Sequence, residues 1–119
     1  MIEFHSLESS ASDDESCVVR IPEGITHKEN LLRYIAAKLN FPDYFGFNWD
    51  ALDECLADLS WLQTSKVLFW HDDIPLSNEP EEARRYLQVL HEVLSEPGRV
   101  QLRISFPKKA KAELDKLLA

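Results

Sequence analysis

The chain has 119 residues, a single-domain length at which roughly two thirds of the unfolded surface can be hidden around one core. Its 13 Lys and Arg against 21 Asp and Glu give a formal charge of -8, which argues against generic binding to nucleic acid or anionic membranes, both of which reward basic patches, and points to a basic protein partner. No apolar run could span a bilayer and no basic-then-apolar leader is present, so a cytoplasmic location is expected.

Residues 1–5, MIEFH, suit a short edge strand, and residues 6–16, SLESSASDDES, are small, polar and acidic, so 1–16 forms a lead-in with little to bury. CVVRI (17–21) is a β-branched run stopped by Pro22 and Gly24, as a buried strand would be. Thr26 followed by Glu29 fits a capping box, and Leu31, Leu32, Ile35, Ala36 and Leu39 recur at helical spacing, predicting a helix over about 27–40. Pro42 and Gly46 break that pattern. Asn48 then suits the N-cap of a second helix to about Ser60, with Trp49, Leu52, Cys55, Leu56 and Leu59 on its apolar side.

KVLFWH (66–71) is an apolar run too short for a helix and reads as a strand. Pro80 opens the next helix, whose stripe is Ala83, Tyr86, Leu87, Leu90, Val93 and Leu94, closed by EPG at 96–98. RVQLRIS (99–105) alternates as a strand does, and after Pro107 a lysine-rich stretch carries Leu114, Leu117 and Leu118 on one modest helical face. Strands separated by helices imply an α/β fold with a small three-stranded parallel sheet, right-handed crossovers and an added C-terminal helix. Cys17 and Cys55 read as free buried thiols, since their separation has no zinc spacing.

The charge is unevenly placed: residues 1–96 carry 7 basic and 19 acidic groups, whereas 97–119 carry 6 basic and 2 acidic. It is densest in FPDYFGFNWDALDECLADLSW (41–61), where five carboxylates and no basic residue stand among six aromatics. Asp50, Asp53, Glu54 and Asp58 fall on the helix face opposite the apolar stripe. Asp50 with Glu54 and Glu54 with Asp58 are like-charge i, i+4 pairs costing about 0.2 to 0.5 kcal/mol each, and Asp58 sits at the dipole-disfavoured end. Glu92 and Glu96 repeat the arrangement in the later helix. Two helices thus break the same local rule, which is the pattern of a surface compensated from outside the free protein. Tyr44 and Phe45 beside Gly46 add aromatic anchors to an acidic rim, while Phe41, Phe47 and Trp61 read as core.

The stretch LNFPDYFGFNWDALDECLADL resembles the signature of the barstar family, intracellular inhibitors of barnase-like ribonucleases, and the resemblance runs from about Cys17 to Ser105 through the VLFW strand and the YLQVLHEVLSE helix. It implies a barstar-like domain over 17–105, with the lysine-rich extension at 106–119 outside it. In that family an acidic helix and the loop before it plug a cationic ribonuclease active site, carboxylates taking the space of substrate phosphates. Carried over by position, Tyr44 and Phe45 are the loop aromatics, Gly46 and Asn48 shape the turn, Asp50 and Glu54 pair with Arg and Lys of the enzyme, and Glu92 supports them. With Asp53, Asp58 and Glu96 from the charge pattern, these residues form the candidate partner-binding set. The best-known inhibitor of the family has Asp where this chain has Glu54, Trp where it has Asp53, and Gly-Trp where it has Asp58 and Leu59, so the expected partner is a cognate basic ribonuclease other than barnase itself.

Two other readings compete. HDD (71–73) after a strand of a parallel sheet stands where ligands bind and could hold a divalent metal, but nothing supplies a nucleophile, a Gly-rich phosphate loop or a second ligand cluster, so no enzyme activity, metal or cofactor is expected. His5, His27 and His91 read as solvent-facing or capping residues. The alternative is an acidic interaction module for a non-nuclease basic partner, because a fold does not fix its partner.

Overall fold

The computed structural model describes residues 2–6, 17–96 and 98–119, so most of the acidic lead-in expected at 1–16 lies outside the described residues. The strands are β1 (Ile2–His5), β2 (Cys17–Ile21), β3 (Lys66–His71) and β4 (Gln101–Pro107), and the helices α1 (Lys28–Lys38), α2 (Trp49–Asp58), α3 (Pro80–Ser95) and α4 (Lys111–Leu118). All pairings are parallel and the order across the sheet is β1-β4-β3-β2. Among the described residues the sheet has four strands, not the three expected. IEFH (2–5) is a full member of the sheet, aligned Ile2 to Ile104 and Phe4 to Phe106, and fastened by the Arg103–Glu3 ion pair at 2.8 Å.

Strand alternation sorts the side chains. Val19, Ile21, Val67, Phe69, Ile104 and Phe106 join Leu31, Leu32, Ile35, Leu52, Leu56, Tyr86, Leu87 and Leu90 of the helices in one buried cluster. Leu68 and Trp70, which alternate with these, are buried outside that cluster, so β3 is covered on both faces, as its unbroken apolar sequence requires. Burial of each such aliphatic or aromatic side chain contributes about 1.5 to 3 kcal/mol.

The helix ends follow local chemistry in part. Pro80 opens α3 as expected, where its missing N–H costs nothing. The Thr26–Glu29 capping box does not form: α1 begins at Lys28 after an extended His27 that caps without a side-chain bond, so Thr26 stands one residue outside the required position. Leu59 closes α2 in the left-handed region, at φ 46°, where Gly is usual. It is fully buried, and that packing offsets the conformational cost.

Beyond Pro107 the chain makes a 3-10 turn at Lys108–Ala110 and then α4, whose Leu114 and Leu117 join the core while Leu118 remains exposed. Arg84 of α3 donates through Nε to the Leu117 carbonyl at 3.0 Å, which satisfies one of the helix-end carbonyls. Cys17 and Cys55 are free, and burial pushes the Cys55 thiol pKa up, away from the reactive thiolate.

Candidate protein-binding site

The surface in question is built on the loop between α1 and α2. A turn closed by the Phe45 amide on the Pro42 carbonyl (3.0 Å) carries Phe45 inward. There its ring meets Phe41 edge-on at 4.9 Å, Phe41 meets Trp61 at 5.9 Å, and the Trp61 indole donates to the Leu39 carbonyl at 2.8 Å. Phe45 is therefore buried and cannot present its ring to a partner, contrary to the expectation for it as a loop aromatic. Phe47 reverses the opposite expectation. Assigned to the core by its chemistry, it is 44% exposed, because a φ of 52° turns the backbone at this residue and leaves only one side of the ring against Phe45, at 4.9 Å. Tyr44 is 74% exposed.

Asn48 joins this loop to α2. Its Oδ1 accepts from the Ala51 amide at 2.7 Å, capping the helix, while its Nδ2 donates to the Gly46 carbonyl at 3.4 Å. A side chain at Gly46 would meet that same Nδ2 at 3.3 Å, so the absence of one leaves room for the capping amide. Trp49, the first residue of the helix, is locked inward by an indole bond to Glu82 Oε2 at 2.9 Å. Glu82 is thereby committed to the fold, unlike the carboxylates of α2.

Those carboxylates point away from the core. Asp50, Glu54 and Asp58 are exposed and Asp53 is half-buried between α2 and α3, two helices in close contact. Partial burial raises the Asp53 pKa, and the charges of Glu92, Glu96, Asp50 and Glu54 raise it further, in that order. The fold thus brings together five of the six predicted acids, three from α2, Glu92 from α3, and Glu96, which stands at the extended C-cap just past α3 and not within the helix as expected. Asp58, on the last turn of α2, is not among the charges acting on Asp53. Among the described residues, none of the six has a salt-bridge partner. Glu92 also lines a shallow depression with Gln88, His91 and Leu118, which sets the end of α4 beside the acidic surface.

The HDD segment is occupied by structural work. His71 ends β3 in full burial, bonded to the Ser105 carbonyl and the Tyr86 hydroxyl. Asp72 pairs with Arg20 at 3.2 Å, and Asp73 caps the Ile74 amide at 2.8 Å. Among the described residues no three His, Cys, Asp or Glu side chains are grouped to hold a metal ion. His27 and His91 are exposed as expected. His5 is not: it stacks on Trp70 at 3.7 Å and shares a 2.6 Å hydrogen bond with Ser105 Oγ, and desolvation lowers its pKa.

The family model described as Barstar (barnase inhibitor) matches residues 17–107. No curated protein matches the chain. The matched span opens with the first residue of β2 and closes with the last of β4, so it contains the whole aromatic loop, both acidic helices and three of the four strands, while β1 and α4 flank it. With this span of sequence matched, the chain belongs to the barstar family.

Proposed function

We propose that this protein inhibits a cationic, barnase-type ribonuclease by placing the α2 and α3 carboxylates in the enzyme's phosphate-binding cleft. The observation that carries this reading is the convergence of Asp50, Asp53, Glu54, Glu92 and Glu96 with no compensating cation among the described residues. Such a surface costs the free protein stability and recovers it when guanidinium and ammonium groups approach. Asp50 and Glu54, exposed one turn apart on α2, are the groups that meet the active-site Arg and Lys. Glu92 reinforces them from α3. Tyr44, projecting beside the N-terminus of α2, packs on the catalytic side of the cleft and excludes water from the charge pairs. Inhibition on this reading is competitive and consumes no cofactor, because the carboxylates occupy the volume of RNA phosphates.

Asp53 and Glu54 depart from the best-known family pattern in one direction, towards more charge and greater reach. The matching enzyme surface therefore offers additional basic side chains rather than an apolar pocket. Calorimetric titration against a panel of barnase-type ribonucleases at low and moderate salt tests the reading. One-to-one, salt-sensitive binding that abolishes RNA cleavage and is lost in Glu54→Ala is the expected result. Failure of every ribonuclease to bind would overturn it in favour of an acidic interaction module with a non-nuclease partner.

A further inference from the structure

Phe47 is the loop residue whose conformation folding explains least. A φ of 52° is a position that Gly or Asn occupies readily and a bulky aromatic rarely does, because its Cβ crowds the neighbouring carbonyl. The strained backbone nevertheless leaves the ring 44% exposed. Its inner side rests on the edge of Phe45, and the Arg33 guanidinium of α1 lies over it, 5.5 Å from the ring centre. Arg33 itself has no carboxylate partner among the described residues. Of the three large apolar side chains exposed among the described residues, Tyr44, Phe47 and Leu118, two stand in this one loop.

We propose that Phe47 is a specificity-determining contact of the binding surface, its free side packing on an apolar ledge at the edge of the partner's cationic cleft. This rests on the inhibitor reading above and extends it to a residue outside the acidic set. The ring is held in place by Phe45 and Arg33 before any partner arrives, so it loses little freedom on docking. It also stands one residue before Asn48, which fixes the start of the helix carrying Asp50 and Glu54, so ring and carboxylates reach the partner as one rigid unit. The carboxylates steer the encounter and pair inside the cleft. The apolar contact prolongs the complex, and it selects among ribonucleases that share a basic cleft but differ at its rim.

The test compares the full chain with Phe47→Asn, which suits the positive φ, and Phe47→Leu, which retains the packing on Phe45. Association and dissociation rates are measured against a barnase-type ribonuclease that the wild type binds. Phe47→Asn is expected to dissociate about tenfold faster or more, with an unchanged association rate and an unchanged salt dependence of that rate. Phe47→Leu should dissociate about threefold faster, and it carries the test alone if Phe47→Asn does not fold. Wild-type dissociation rates in the folded variants would overturn the proposal while leaving the inhibitor reading standing. Absence of wild-type binding to every ribonuclease tried would overturn both.

Discussion

Nε2 of the fully buried His71 accepts a 2.7 Å hydrogen bond from the Tyr86 hydroxyl. Since the Ser105 carbonyl at 3.0 Å can only accept, Nδ1 carries a hydrogen, and desolvation keeps the ring neutral, which leaves Nε2 as the acceptor. Burial also raises the Tyr86 phenol pKa, which keeps it protonated as the donor.

Desolvation lowers the His71 pKa to about 3, against 6.5 for the ordinary imidazole. Between these values the unfolded chain binds a proton that the folded chain refuses, so stability from this residue is complete above pH 6.5 and declines as pH falls towards 3. The slope is about 1.4 kcal/mol per pH unit. Urea unfolding of wild type and His71→Gln at pH 7.5, 6 and 5 should therefore show the stability advantage of the wild type shrinking below pH 6.5. Parallel curves would mean that His71 titrates alike in both states.

Asp53 obeys the opposite sign. Its folded pKa is raised above the unfolded value of 3.8, first by partial burial and then by Glu92 and Glu96, so its ionisation opposes folding at neutral pH and ceases to do so below the unfolded value. Asp53→Asn should stabilise the free protein by a few tenths of a kcal/mol at pH 7, the scale of one or two like-charge contacts between half-solvated groups. The gain should vanish at pH 3. A loss of stability at neutral pH would show that Asp53 has a structural partner.

Asp50→Ala and Glu54→Ala should weaken ribonuclease binding while changing melting temperatures little: each removes part of an i, i+4 repulsion worth about 0.2 to 0.5 kcal/mol, which for Asp50, in the first turn of α2, is offset by the lost attraction to the helix N-terminus. The loss should fall on the dissociation rate as well as the association rate, because these groups both steer the encounter and pair inside the cleft, and the wild-type association rate should drop as salt rises through the range where the Debye length approaches 10 Å. Barstar with barnase is itself a standard example of such steering. A salt-independent association rate would remove electrostatics from the recognition step.

The parts of this surface readable in the sequence are those governed by local chemistry. Asn48 announces the start of α2 because an amide oxygen three residues before an orphan N–H is a near-neighbour event. The acidic face follows from helical spacing alone. The inversion of Phe45 and Phe47 was not readable, since one backbone torsion decides which ring faces the core and four aromatics within seven residues give no period to choose by. Nor was the approach of Glu92 and Glu96 to Asp53, which depends on how α2 crosses α3. β1 was visible only as a short edge segment because its partner, β4, lies about a hundred positions away and four residues are too few to show a pattern. His71, weighed in the sequence with Asp72 and Asp73 as a possible metal site, is buried because Ser105 and Tyr86, both distant in sequence, supply its hydrogen bonds.

The C-terminal helix gives the last prediction. α4 lies beyond the family match at residue 107, yet Leu114 is 2% exposed and Leu117 9%, both within the main hydrophobic cluster. The basic side chains of this region reach back as well: Lys109 pairs with Glu23 at 3.4 Å, and the Lys111 ammonium lies 5.3 Å from the centre of the Phe4 ring. Exposed pairs of this kind add less than about 1 kcal/mol each, so the leucines must hold the helix. Leu114→Ala should cost about 2 to 5 kcal/mol in a cooperative unfolding transition, the range for deleting a buried leucine side chain. Lys116→Ala on the exposed side of the same helix should cost less than about 0.5 kcal/mol. Equal and negligible effects of the two substitutions on the urea midpoint would show α4 to be an appendage rather than part of the core.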